Sequence, residues 1–378
     1  MPSGATNLLH LNRRLCMGTL ALGLGMALTG AARSHAQCQS NRLRLLLNTS
    51  LSGPVAFFLL AQDRGYLRQA QLDVQFPSGP GAAAMVPMVR DGAYDVGYGD
   101  ISALIERIAR GPRNEGPVAL FTTFNVVPFT IAVDAVGPIK TPRDLLGRRV
   151  VGHANDAALL TFDLYARAAG LDATLVQVDG SMGSMGHAVA DMLRGSGAAG
   201  VFGFVNTLIA SATALGVEPA ALRFLNWSEV LPDMYGNTLF VTRECYSRDA
   251  QVLRGLVQAV NQGLADAVRE PDAAIDALLR HAPGSDRAVN LRRLKGTLSI
   301  EMAHPERARI GIGDMDDARL ARLIAQIVQV KRLPRTPDVR EVFDRSFLPP
   351  LAQRVRSLAL RPAGKAIQQP ENLTSERY

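Results

Sequence analysis

The chain has 378 residues, of which 47% are hydrophobic, 20% charged and 6% aromatic. That balance can bury a sizeable core and excludes wholesale disorder, and the length suits two domains or one large α/β unit. The formal charge of +7 includes no run of five or more Lys or Arg, which argues against a nucleic-acid binder. Three cysteines are too few for a disulfide scaffold or a cysteine-rich zinc module.

At the front, Asn12-Arg13-Arg14 precedes an apolar, Gly-rich run from Leu15 to about Leu28, and Ser34-His35-Ala36 follows. A basic start, a short apolar run and a small-x-small site, in that order, predict a signal peptide over 1–36, cut after Ala36. The run is short of the ~20 residues that a membrane span needs. Removing Arg13, Arg14 and Arg33 leaves 38 basic against 34 acidic residues, a net charge of +4. Ala36-Gln37 before Cys38 lacks the small residue that lipid anchoring wants, and the flanks of the Arg pair leave Sec and twin-arginine export both open. No later segment is long and apolar enough to span a bilayer, so the expected location is the periplasm. There Cys38 and Cys245 either pair or stay as thiols, because sequence gives no Cα distance.

Arg42–Leu47 reads as a buried strand and 48–54 as the loop after it. A helix over Val55–Asp63, a strand near Asp73–Phe76, a break at Pro77-Ser78-Gly79-Pro80-Gly81 and a helix ending near Asp91 follow. Further elements are expected at Val118–Phe121, Phe129–Val133, Arg149–Gly152, Asp156–Ala169 and Thr174–Val178. Alternation of this kind argues for parallel sheets with helices on both faces. From Tyr246 to about Gln329 the pattern is almost entirely helical, and 361–378 is a polar tail.

An internal repeat sharpens this picture. Met88–Ile105 aligns without gaps on Met192–Ile209, with Met88/Met192, Arg90/Arg194, Gly99/Gly203, Leu104/Leu208 and Ile105/Ile209 identical. Each copy reads as helix end, turn, short strand and new helix, which predicts two similar α/β lobes rather than a solenoid. Ligands of open α/β sheets sit beyond the carboxyl ends of the strands. The repeat therefore nominates Tyr98 and Asp100 in one lobe and Phe202, Phe204 and Asn206 in the other. Helix starts there offer free N–H groups to a polar or anionic group.

Catalytic constellations are missing. The sequence has no G-x-x-x-x-G-K-[ST], H-E-x-x-H, C-x-x-C or G-x-S-x-G. Gly180-x-x-Gly183-x-x-Gly186 lacks the opening of a dinucleotide fingerprint and reads as a loop. His153, beside Asn155 and Asp156, is the one remaining histidine at a predicted strand end, and no second His or Cys stands at metal-ligand spacing.

Four segments then match a known family in order. Ala61-Gln62-Asp63-Arg64-Gly65-Tyr66-Leu67 with Leu72-Asp73-Val74 is similar to its "A-x-x-x-G-Y-F…G-L-D-V". Asp91-Gly92-Ala93-Tyr94-Asp95-Val96-Gly97 is similar to "x-G-x-x-D-[VI]-G". Residues 139–150, from Ile139-Lys140-Thr141-Pro142 to Arg149-Val150, are similar to "I-K-S-P-x-D-L-K-G-K-x-I", and Met234-Tyr235-Gly236-Asn237 to "x-Y-G-N". The chain thus resembles the periplasmic substrate-binding proteins of ABC importers of the nitrate/sulfonate/taurine type, which include binders of thiamine pyrimidine precursors. It departs from them at Ala198 and Ala199, where the second-lobe copy of "G-x-x-D" would place an acid. It also lacks the cysteine-rich motif of a related enzyme that makes the thiamine pyrimidine.

The resemblance implies a type II-like periplasmic binding protein, with two α/β lobes joined by two crossing strands. Lobe one is expected over 38–135 and 240–360, and lobe two over 136–239. It implies no cofactor, metal or catalysis, and a monomer that hands a small molecule to an ABC permease and its ATPase. A non-transport enzyme of this fold and a module feeding a sensor are the alternatives. The expected cleft adds Asn48, Thr49, Ser50, Ser78, Gly79, Thr123, Phe124, His153, Asn155, Asp156, Tyr235 and Asn237 to the repeat residues. Trp227 stacks on a ligand or packs in a core. Aromatics and carboxylates in these loops, with His153 the one residue able to be a cation, favour a heteroaromatic or cationic organic ligand. Helix N-termini still accommodate a sulfonate.

Overall fold

The computed structural model describes residues 41–358. The expected signal peptide, Cys38 and the polar tail lie outside the described residues. Among the described residues there are ten strands: β1 (Arg42–Leu46), β2 (Asp73–Gln75), β3 (Val96–Asp100), β4 (Val118–Thr122), β5 (Phe129–Asp134), β6 (Arg149–Val151), β7 (Gln177–Asp179), β8 (Gly200–Phe204), β9 (Leu222–Asn226) and β10 (Asn237–Val241). They form two five-stranded sheets, ordered β2-β1-β3-β10-β4 and β7-β6-β8-β5-β9. Helices cover both sheets, and the strands are buried on both faces where the apolar runs are densest, as in β4 and β10.

The two orders correspond position by position. β3 and β8, the two repeat strands, each lie third in their sheet. Each pairs in parallel with one neighbour, β1 or β6, and antiparallel with the other, β10 or β5. Gly99 faces Thr238 in one ladder and Gly203 faces Thr130 in the other. The sheets are mixed rather than parallel throughout for a topological reason. β5 and β10 arrive from the opposite lobe, enter their new sheet from the cleft end, and so run against its other strands.

Sheet membership places the crossings nearer the cleft than the sequence reading does. β5 is a strand of the second sheet although 129–134 was expected in lobe one, and β10 belongs to the first although 237–239 was expected in lobe two. The segments that pass between sheets are 123–128 and 227–236.

Local differences have local causes. The helix expected over Asp156–Ala169 is two helices, Ala157–Leu160 and Phe162–Ala168. Between them the Thr161 hydroxyl donates to the Ala157 carbonyl at 2.6 Å and lies 3.2 Å from the indole Nε1 of Trp227, which donates to it. The two repeats share one backbone contact at the turn where the second copy lacks the acid: the N–H of Asp95 bonds the carbonyl of Arg44 at 3.2 Å in lobe one, and the N–H of Ala199 bonds the carbonyl of Arg149 at 2.7 Å in lobe two. Only lobe one adds a side-chain bond, in which Asp95 accepts the backbone N–H of Arg44 at 2.8 Å. Cys245 is buried and disulfide-bonded; its proposed pairing with Cys38 lies outside the described residues.

Candidate functional site

A cavity of about 450 Å³ opens between the ends of the two sheets. From the first sheet's side it is lined by Asn48, Thr49 and Ser50 after β1, by Pro54, and by Gly79, Pro80, Gly81 and Ala82 after β2. From the second sheet's side come His153, Asn155, Asp156 and Ala157 after β6, Met182, Gly183 and Met185 after β7, and Phe204 and Thr207 after β8. Phe124 enters from a crossing segment, and Arg293 and Glu301 from the C-terminal helices.

The lining is apolar with a few polar groups, the usual make-up of a small-molecule site. Several of its loops run into helix starts. One such helix, Val205–Thr213, has Phe204 at its cap position and no side chain bonded to its first N–H groups. Such an end carries partial positive charge. At Ala157 the equivalent end is already occupied, because Asp156 Oδ1 accepts the N–H groups of Ala158 and Leu159. Burial pushes the Asp156 carboxyl up to about 6, and those two bonds and His153 oppose the rise.

Three contacts bring the two sides together around the cavity. The Asn206 amide donates to Glu301 Oε1 at 2.9 Å. Gly296 rests against the Asn206 side chain, so closely that a Cβ there would stand 2.3 Å from Asn206 Oδ1. At the opposite rim Gly81 has φ +136°, and a Cβ would meet the Asn155 carbonyl oxygen at 2.8 Å. Glycine fits both the backbone geometry and the approach there.

Of the expected site residues, Asn48, Thr49, Ser50, Gly79, Phe124, His153, Asn155, Asp156 and Phe204 line this cavity. The others do not. Ser78 is exposed and pairs its backbone with Leu47. Tyr98 is fully buried in the aromatic core of the first sheet, edge-on to Phe58 at 5.0 Å, with its hydroxyl 2.6 Å from the Thr123 hydroxyl. Asp100 is 1% exposed and caps the helix Ile101–Arg110 through Ala103 N–H, and burial pushes its carboxyl up to about 7. Asn237 is buried opposite Asp100 in the ladder. Phe202 packs edge-on against Phe162 and Trp227, and Trp227 itself stacks on Tyr165 at 4.0 Å, so the one tryptophan is core. Asn206 sits beside the cavity and reaches it only through Glu301.

Tyr235 belongs to a crossing segment rather than the cleft. The Arg319 guanidinium lies 3.9 Å over its ring and pairs with Glu306 at 2.8 Å. The same guanidinium donates to the carbonyls of Asn125, Asp233 and Met234, and so ties both crossing segments to one side chain. The Tyr235 hydroxyl donates to Glu306 at 3.1 Å and accepts the N–H of Asp316 at 2.9 Å.

Arg293, Glu301, Thr207, Met182 and Met185 line the cavity without having been expected. Glu301 is 2% exposed, and burial pushes its carboxyl up to about 7, against the opposing pull of Thr297, Asn206 and Arg293. Burial likewise lowers Arg293, and Glu301 acts against that.

The lining contains no cysteine, and its one serine, Ser50, is not hydrogen-bonded to its one histidine, His153. Among the described residues no group of three or more His, Cys, Asp or Glu is placed to hold a metal ion, and no helix is long and apolar enough to cross a membrane.

Comparison with solved structures shows which fold this is. The chain superposes on the alkanesulfonate-binding protein SsuA from Xanthomonas axonopodis pv. citri bound to MOPS, with TM-score 0.61 and 16% identity, covering 81% of this chain and 99% of that one. The periplasmic aliphatic sulphonate binding protein SsuA from Escherichia coli gives TM-score 0.59 and 18% identity, over 79% and 96%. A cysteine-to-serine variant of DszB in complex with biphenyl-2-sulfinic acid gives TM-score 0.53 and 14% identity, over 81% and 97%. These likenesses establish the periplasmic binding protein fold. Comparison with curated proteins gives no match. The family described as NMT1/THI5 like matches residues 53–274, more than half of the chain, from the first loop of the cleft into the C-terminal helices, and the protein belongs to that family.

Proposed function

We propose that this protein is the exported solute-binding component of an ABC importer, and that it captures a small organic molecule between two lobes. The observation that carries the reading is the cavity, built at corresponding strand ends of two like sheets and bridged by Asn206 and Glu301. Sheet membership supports lobe limits at the crossing segments 123–128 and 227–236. Closure about those segments would present a joint surface to a membrane permease, with ligand binding stabilising the closed form. The sulfonate ligands of structural neighbours suit the start of the helix Val205–Thr213, which has no side-chain cap, although the Val205 N–H itself donates to the Pro128 carbonyl. The aromatic and carboxylate lining fits an organic body rather than a bare anion. Native mass spectrometry of the periplasmic protein, with the retained species identified after denaturation, tests the reading. A stoichiometric small molecule is expected, with a compaction in small-angle scattering when it is added back. An unchanged radius of gyration despite binding would count against hinge closure.

A second reading is an enzyme on the same fold, favoured by the DszB neighbour. Chemical turnover of the retained molecule would decide for it, and release of that molecule unaltered would decide for transport.

A further inference from the structure

Glu301 stands on the π-helical turn Thr297–Glu301, which continues the helix Arg287–Gly296. Such turns insert a residue into the helical ladder and swing the following side chains to a new face. Here the turn carries Glu301 to the junction of both lobes. Its backbone carbonyl accepts the N–H of Val126 in a crossing segment at 2.9 Å, and its Oε1 accepts the Asn206 amide from lobe two. Its second oxygen, Oε2, is buried and meets no donor in good hydrogen-bond geometry; the Thr297 hydroxyl, also buried without a partner, stands alongside and acts with Asn206 and Arg293 to favour the ionised form. A buried carboxylate oxygen without a donor is costly, and native structures keep one where something else completes it.

The other charged side chains of the wall differ. Asp156 already uses one oxygen on two backbone N–H groups. Arg293 shares the wall with Glu301 and has a buried Nε without a partner. One side of the cavity therefore presents an acceptor and a donor that are both unfilled.

Resting on the reading of this cleft as a small-molecule site, we propose that Glu301 selects the ligand by accepting a hydrogen bond from its amine, while Arg293 takes a neighbouring acceptor on the same molecule. The ligand class is then an amine-bearing polar small molecule, and anions lacking any N–H donor are rejected by the carboxylate. Because Oε1 holds Asn206, donor capture at Oε2 is coupled through one carboxyl group to the contact that joins the lobes. Glu301 is thus both a recognition group and part of the closed geometry.

Matched probes test the assignment: aminopropanesulfonate against propanesulfonate, and aminopyrimidine against pyrimidine, by isothermal titration. A charge-assisted bond predicts that the amine member of a pair binds the wild type on the order of tenfold to a hundredfold more tightly. Glu301→Gln keeps a carbonyl for Asn206 and turns an amide N–H toward the ligand, so the preference should vanish or invert. If that variant does not give a cooperative melt, Glu301→Met removes the acceptor with similar bulk, and the preference should vanish without inverting. Equal affinity for both members in the wild type, or an unchanged preference in the variants, overturns the assignment alone. Failure of all four probes to bind the wild type overturns the cleft reading with it.

Discussion

Two sets of arginine and glutamate side chains, partly or wholly buried, stand where the lobes meet, and they are completed differently. Around Arg319 and Glu306 the polar groups interlock: the guanidinium meets Glu306 and three carbonyls, and Glu306 also receives the Tyr235 hydroxyl. Arg293 and Glu301 make no direct ion pair and leave Nε and Oε2 without hydrogen bonds, on the wall of the cavity between the sheets. The first pair is a structural clasp that holds both crossing segments in one geometry. The second is a looser network that leaves an acceptor and a donor beside the cavity. Satisfaction of polar groups, rather than burial or charge alone, separates the clasp from the cavity wall here.

The largest effect should follow from breaking the clasp. Arg319→Met leaves Glu306 buried without its partner, which costs about 3–5 kcal/mol in comparable pairs. Urea unfolding should show that loss; a change under about 1 kcal/mol would remove the distinction between the two pairs.

The unfinished side predicts a pH dependence. Burial raises Glu301 and Asp100 to about 7 and Asp156 to about 6, above the unfolded values near 4. Groups shifted upward hold more protons folded than unfolded, so their contribution is fully present below about pH 4 and falls as pH rises toward about 7, by about 1.4 kcal/mol per unit for each group. Asp179, held at about 2 by Ser181 and Arg149, acts with the opposite sign below that window, and His304, lowered by burial to about 4, opposes the three carboxyls within it as a single group. The melting temperature should accordingly be higher near pH 5 than near pH 8. A rise over the same interval would contradict the upward shifts.

A smaller effect is expected at the rim. Gly81→Ala places a methyl group against the Asn155 carbonyl at a positive φ, with a cost of about 1 kcal/mol. The methyl should prop the lobes apart, so the scattering radius should grow while the fold is kept. An unaltered radius would show that the Gly81 loop yields instead of the lobes.

The smallest effect should come from Glu301→Gln without ligand. Near pH 8 it removes a buried charge and the change should stay within about 1 kcal/mol, neutral or stabilising, and it should shrink near pH 5 where the carboxyl is protonated. A loss as large as that of Arg319→Met would make Glu301 a second clasp.

Strand and helix alternation, the repeat and the loops that hold Asn48, His153 and Phe204 were all readable from the chain, because each depends on residues near one another in sequence. Hydrophobic period and turn chemistry are local, and strand-end loops cluster in space once the sheet order is set. The same local cues misplaced Tyr98, Asp100 and Tyr235. They look like cleft residues by type and position, but their partners Thr123, Ala103 and Arg319 decide what they do, and Arg319 lies far along the chain. Arg293 and Glu301 were invisible for the complementary reason. They sit in an almost continuous helical stretch, where only a π turn and the approach of Asn206, 95 residues earlier, choose the face that meets the cavity. Local pattern determined which elements form and which family they belong to. Tertiary contact between distant segments decided which polar atoms were satisfied, and so which of them were left for a ligand.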